Sequence, residues 1–280
     1  MILLTGATGT IGTPLLRRLV AAGEPVRCLV REPRRLGPER VHVQIALGDL
    51  ANPASFRNAM RGVDTVVHLA AAIRDQPGGS IEELDAVATL RLVRAAERAG
   101  AKRFIFFSAI GASLHSPARF FRAKALAEEA VEEAELETTI FAPSITYALG
   151  DPWITLLDRL TRLPVAPVSG EGDARYQPIW ADDVADCVVA ALRAPNGKVR
   201  YELAGPDELT YDGIVKTVLR AFGRHRRLLH VPLPAVRAGL KVAGAFAGPS
   251  VFATWDEAEL MELSMTTPTG TADAESLGVR

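Results

Sequence analysis

Along the first half of the chain, short and nearly continuous apolar runs take turns with longer stretches whose apolar residues recur at three-and-four spacing. The runs at 1–4, 25–30, 65–70, 103–107 and 138–141 have the length of strands buried on both faces, and Val41, Val43 and Ile45 alternate as a further strand would. Between them, Ile11, Leu15, Leu16, Leu19 and Val20 mark one helical face, Leu84, Val87, Leu90 and Val93 a second, and a third helix carries Phe120, Phe121, Lys124, Leu126, Ala127, Ala130 and Val131. Local signals set the ends. Asn52 before Pro53 predicts an N-cap, Ser80 with Glu83 a capping box, and Ser116-Pro117 another helix start, while Gly23 and Gly100 close helices. Asp182 is expected to cap a helix carrying Val184, Cys187, Val188 and Ala191, and Thr210 one carrying Ile214, Val215, Val218 and Leu219. Strand and helix in alternation predict an α/β chain built on a parallel sheet.

The first strand opens into Thr5-Gly6-Ala7-Thr8-Gly9-Thr10-Ile11-Gly12, and a helix follows at once. Glycines so placed let the chain turn tightly, bring bare backbone against a pyrophosphate and let helix pack close to strand. The helix N-terminus adds unpaired N–H groups and partial positive charge, which suits phosphate. Other chemistry-bearing residues also fall where strands end. Arg31 follows the second strand, where an acidic residue would bond the ribose 2′-OH of NAD and an arginine suits the 2′-phosphate of NADP. Ala70, Ala71 and Ala72 follow the fourth, Ser108 the fifth, and Pro143 and Ser144 the sixth. In open parallel sheets ligands sit at that edge, so one dinucleotide could touch them all.

These motifs resemble those of the extended and atypical short-chain dehydrogenase/reductase superfamily, in the NAD(P)H-binding branch of the NDUFA9-like accessory subunit of respiratory complex I and the NmrA-like proteins. The resemblance implies a Rossmann-type doubly wound parallel sheet with a small C-terminal substrate lobe: residues 1–147 for the cofactor, 148–280 for the substrate side, with the last sheet strand returning at about 199–204. It implies that Gly6, Thr8, Gly9, Thr10, Ile11 and Gly12 hold the pyrophosphate, that Asp49 and Leu50 meet the adenine, and that Ser108, with Ser113 second, is the catalytic hydroxyl. Where the family carries Tyr-x-x-x-Lys, this chain has Phe120-Phe121-Arg122-Ala123-Lys124. Lys124 is therefore expected to orient the cofactor and serve catalysis, while Phe120 can neither give nor take a proton. Tyr147 and His115 are the nearby substitutes, and neither has the expected spacing.

Composition narrows the partners. The chain of 280 residues is 48% hydrophobic and 23% charged with net charge −1, so no overall basic field recommends nucleic acid. The five histidines are scattered without ligand spacing, which argues against a metal. Cys28 and Cys187 read as reduced core residues of a cytoplasmic protein. The apolar run 231–251 is interrupted by Pro234, Arg237 and Lys241, falls short of a membrane span and reads as a buried or half-buried helix. The expected ligands are NADP, with NAD as the alternative, and an unidentified small molecule. Three readings follow: an NADPH-dependent oxidoreductase, a non-catalytic redox sensor or subunit of a larger complex, and, least favoured by Phe120, a sugar-nucleotide epimerase or dehydratase.

Overall fold

The computed structural model describes residues 1–194, 199–239 and 255–279. Its strands are β1 (Ile2–Thr5), β2 (Val26–Val30), β3 (Gln44–Leu47), β4 (Thr65–His68), β5 (Arg103–Phe107), β6 (Glu137–Pro143), β7 (Thr146–Tyr147), β8 (Ala166–Ser169), β9 (Arg175–Tyr176), β10 (Ile179–Trp180), β11 (Val199–Leu203), β12 (Leu209–Thr210) and β13 (Leu228–Val231). Its principal helices are α1 (Gly12–Ala21), α2 (Pro53–Phe56), α3 (Ala88–Ala99), α4 (Arg119–Glu132), α5 (Pro152–Leu160), α6 (Ala181–Arg193) and α7 (Tyr211–Ala221). Seven strands form one parallel sheet in the order β11-β6-β5-β4-β1-β2-β3. The order reverses between β1 and β4, and a doubly wound sheet places its ligand crevice at such a point.

Helices cover both faces, which is why the strand runs are continuous rather than alternating. On one face Leu15, Leu16 and Leu19 of α1 and Val184, Cys187 and Val188 of α6 close over β1, β2 and β5. On the other, Phe56, Met60, Leu92, Val93, Ala127 and Val131 do the same. A third apolar cluster joins Leu157, Val168, Tyr176, Ile214, Val215 and Leu219 away from the main sheet. Among the described residues no helix is long and apolar enough to cross a membrane.

Several local expectations hold. Asn52 accepts a hydrogen bond from Ala54 N, Thr210 accepts one from Gly213 N, and Ser80 and Glu83 exchange the two bonds of a capping box. Others are corrected. Pro33–Val41 forms 3₁₀ turns, so β3 begins at Gln44 and Val41 is 74% exposed. Pro38 has no N–H to give a ladder, and β3 is an edge strand that pairs only with β2, so alternation there carries no buried face. Helix α4 starts at Arg119, because Ser116 Oγ turns the chain by accepting from Ala118 N and the Ser116 and Pro117 carbonyls take the Arg122 guanidinium. Asp182 lies inside the first turn of α6 and, with Asp186, grips Arg18 of α1 at 2.8 and 2.7 Å. From 149 to 176, where the sequence pattern loosens into turns at Gly150-Asp151-Pro152 and 169–173, the chain forms α5, capped by Asp151, then β8 and β9. Most of the apolar run 231–251 lies outside the described residues.

Candidate functional site

Gly6 begins the turn after β1 at φ +70°, and a Cβ there would lie 2.6 Å from Ala70 N. A Cβ on Gly12 would stand 2.0 Å from the Gly6 carbonyl oxygen, so helix α1 packs onto the turn at a distance that only glycine allows. Gly9 differs: it is exposed, and its Cβ would meet nothing closer than Gly6 O at 3.3 Å. Two of the glycines therefore build the turn and the third leaves its outer surface bare. Such a surface, at a helix N-terminus, fits the phosphates of a dinucleotide.

From this turn a cleft of about 640 Å³ runs along the carboxyl edge of the sheet. Gly6, Thr8, Gly9, Thr10, Ile11 and Gly12 line it, as do Arg31, Asp49, Leu50, Ala70, Ala71, Ala72, Ser108, Pro143 and Ser144. At one end Arg31, which reaches Gln76 Oε1 at 3.3 Å, stands with Arg35, and Asp49 spends one carboxylate oxygen on Ala51 N. The other end is apolar, with Leu84, Phe120, Phe121, Ile145, Trp153, Leu260, Met261 and Met265. Sequence patterns missed the last three because the segment that carries them is placed by distant bonds. Ser144 Oγ donates to Met265 O at 2.6 Å, Tyr176 Oη donates to Met261 O, and Gln177 Oε1 accepts from Thr267 N. The Ser144 hydroxyl is thereby committed to structure. Ser108 Oγ and Trp153 Nε1, both buried, have no hydrogen-bond partner among the described residues, and both residues line the cleft. Buried donors without partners are costly, so these two are the groups that a bound polar atom would satisfy.

Lys124 is not among the residues lining the cleft. It is 2% exposed, with Nζ 3.1 Å from Oδ1 of fully buried Asp85 and donating to the Phe107 carbonyl at 2.9 Å. The rings of Phe106 and Phe120 flank the ammonium at 5.1 and 5.6 Å. Asp85 sits on a π-helical turn, Glu83–Val87, that precedes α3, and its other oxygen accepts from Ala72 N. Burial pushes its carboxyl above the usual range, against the pull of Lys124 and the Ala72 N–H. The pair thus clamps two strand exits, Ala72 after β4 and Phe107 beside Ser108. Ser113, His115 and Tyr147 do not line the cleft either; Tyr147 packs on Trp180, ring centroids 5.1 Å apart.

A sequence profile described as NAD(P)H-binding matches residues 6–195, more than half of the chain. The chain belongs to this NAD(P)H-binding family. It is 30% identical over 247 residues to the mitochondrial NADH dehydrogenase [ubiquinone] 1 alpha subcomplex subunit 9 of Arabidopsis thaliana, a match covering 83% of the chain and 60% of that longer relative. It is 28% identical to a ceramide reductase of Caulobacter vibrioides over 95% of the chain and 86% of the relative. In fold it resembles a dTDP-glucose 4,6-dehydratase of Streptomyces venezuelae determined with NAD, with a TM-score of 0.72 and 20% identity over 82% of this chain and 84% of that one.

The cleft of this NAD(P)H-binding chain rests on a buried relay. Thr89 Oγ1 donates to Asp85 O, so His68 Nε2–H donates to Thr89, and His68 Nδ1 accepts from Thr5 Oγ1 at 2.7 Å. His68 is the core residue that its strand position suggests, and burial, with Lys124 nearby, lowers its pKa to about 3. A histidine depressed in the fold stays neutral there while the unfolded chain takes up a proton below its ordinary value of about 6.5. His68 therefore contributes stability that is full above that value and is lost as pH falls toward 3, by about 1.4 kcal/mol per pH unit. The raised Asp85 carboxyl works in the opposite sense, so comparison with His68→Asn isolates the histidine. Urea titrations between these limits should give a shallower acid slope for the variant; parallel slopes would assign the acid loss elsewhere.

Proposed function

We propose that the chain binds NADP(H) in the cleft and reduces an apolar, quinone-like acceptor at its Phe120–Met265 end. The observation that carries the reading is the continuity of one cleft from the glycine turn to an apolar end that holds, among the described residues, a single unpartnered buried hydroxyl, Ser108, and no tyrosine. In this reading residues 1–147 form the cofactor domain and 148–280 the substrate side, joined by β11. The backbone of the turn and the α1 N-terminus hold the pyrophosphate, Arg31 pairs a 2′-phosphate, and Asp49 and Leu50 meet the adenine. When bound, the reduced nicotinamide supplies hydride. Ser108 orients the acceptor oxygen by donating its hydrogen bond, and the apolar walls exclude water from the reacting face. Ubiquinone and ceramide, named in the two relatives, are both largely apolar, which supports the acceptor class. Buried free cysteines suit a reducing, cytoplasmic setting.

General acid catalysis typically contributes about a hundredfold to ten-thousandfold, and Phe120 cannot supply it. Hydride transfer to a quinone gives a stabilised hydroquinone anion that can take its proton from solvent on release, whereas the alkoxide formed from a secondary ketone gains much more from an acid. Wild-type protein is expected to bind NADPH more tightly than NADH in calorimetry, with Arg31→Asp reversing the preference, and to oxidise NADPH with quinones but not with secondary ketones. Equal binding of the two cofactors would remove the role of Arg31. Ketone reduction as fast as quinone reduction would sink the mechanism. The second reading, a non-catalytic sensor or subunit, is favoured by the likeness to a complex I subunit and predicts tight binding with no turnover. A sugar-nucleotide epimerase or dehydratase is disfavoured by the missing hydroxyl.

A further inference from the structure

Residues 216–230 carry five Lys or Arg side chains and no acidic one, in a chain whose net charge is −1. In the fold they line a shallow groove of about 720 Å³ beside α7. Arg224 is tied down: it bonds Asp158 at 2.7 Å and lies over the Phe222 ring, 4.7 Å from its centroid. Lys216 leans on Asp212 at 3.6 Å. Arg220, Arg226 and Arg227 are exposed, and among the described residues none has a carboxylate within ion-pair distance. Among the described residues the Arg220 side chain bonds the Thr217 hydroxyl, and that of Arg226 bonds the carbonyls of Leu163 and His225.

Exposed apolar residues neighbour these arginines in the chain and across the β8–β13 pairing. Phe222 at the end of α7 is 47% exposed and Leu229 on β13 is 51% exposed. Leu163 and Val165 are exposed beside them, held there by β8–β13 pairing and by the bonds Arg226 Nε to Leu163 O and Ala166 N to Arg227 O. Cations without partners attract phosphate. Exposed aliphatic and aromatic side chains among them gain nothing from a soluble anion or a nucleic-acid backbone, but do gain from the acyl boundary of a bilayer.

We propose that this face docks the protein on an anionic phospholipid surface, with Arg220, Arg226 and Arg227 at the headgroup phosphates and Phe222 and Leu229 at the interface. The surface is separate from the cofactor cleft: α5 runs from Trp153 at the cleft to its C-cap Thr161, which bonds Arg224, a rise of about 12 Å at 1.5 Å per residue. The docked protein would thus hold its cleft close to the membrane plane without spanning it.

The test is sedimentation of the full chain with phosphatidylcholine vesicles, with and without phosphatidylglycerol, at low and high salt. Binding is expected only with phosphatidylglycerol and to weaken in high salt. Each neutralised arginine should lower the partition about fivefold, so Arg220→Gln with Arg227→Gln costs about twenty-five-fold. Phe222→Ser with Leu229→Ser should weaken it as well, and both double variants should keep the wild-type melting temperature and NADPH affinity. Absence of phosphatidylglycerol-dependent binding would overturn the proposal. So would displacement by inorganic phosphate at constant ionic strength, which marks a soluble-anion site, or indifference to loss of Phe222 and Leu229, which marks a purely electrostatic contact.

Discussion

Replacing Lys124 with methionine should lower the unfolding free energy by about 3–5 kcal/mol, the usual cost of breaking a buried ion pair from one side. Asp85 is wholly buried, and its Oδ1 has the ammonium as its only polar neighbour among the described residues, so the variant leaves a carboxylate with neither water nor counter-charge. Marginal folds hold only about 5–15 kcal/mol in all, so the loss should be plain in urea or guanidinium titration. Asp85→Asn should be destabilising as well, because it strands the lysine. Combining the two removes both charges while an amide oxygen can still accept from Ala72 N, and should recover most of the loss. NADPH affinity should fall in both single variants, since each releases a strand exit that lines the cleft. A Lys124→Met protein as stable as wild type, or one in which Asp85→Asn leaves affinity intact while Lys124→Met abolishes it, would point instead to a lysine that reaches the cofactor.

The glycine turn should divide by position under substitution. Gly12→Ala is expected to destabilise the fold, because its methyl would stand 2.0 Å from Gly6 O and 2.8 Å from Ala7 Cα, both backbone atoms that move only if the turn opens. Overpacking of this kind typically costs about 1–3 kcal/mol, and such a rigid contact belongs at the upper end. Gly9→Val should destabilise the fold less than Gly12→Ala, since Gly9 is exposed and its Cβ would meet only Gly6 O, at 3.3 Å, a contact relieved by a shift of a few tenths of an ångström, yet fill the surface on which the pyrophosphate would lie. Saturating dinucleotide at about 100 times its dissociation constant should stabilise wild type by about 2.7 kcal/mol and leave Gly9→Val unchanged. Equal thermal shifts for the two proteins would mean that the dinucleotide does not approach Gly9.

The sequence by itself determined the features governed by short-range physics. Strand β5, the Ser80–Glu83 capping box, the caps at Asn52 and Thr210 and the glycine turn all arise from residues within a few positions of one another, and all stand where pattern put them. Continuous apolar runs announced a sheet covered on both faces, and residues at the ends of those runs came together on one edge because parallel strands share a direction. Tertiary structure alone decided the rest. Lys124 lies one helical turn from Phe120, as its spacing requires, but Asp85, 39 residues earlier, and the Phe107 carbonyl hold its ammonium inside the core, away from the residues that line the cleft. Ser144 is engaged by a carbonyl 121 residues away, which lays Met261 and Met265 against the cleft without any motif to announce them. Edge strand β3 lacked a buried face for its alternation to report, and the β8–β13 pairing and the packing of Arg224 on Phe222 bring the arginines after α7 beside exposed apolar residues that no local pattern connects to them. Charge pairing and packing between distant segments depend on which partner arrives, and neither periodicity nor spacing encodes that arrival.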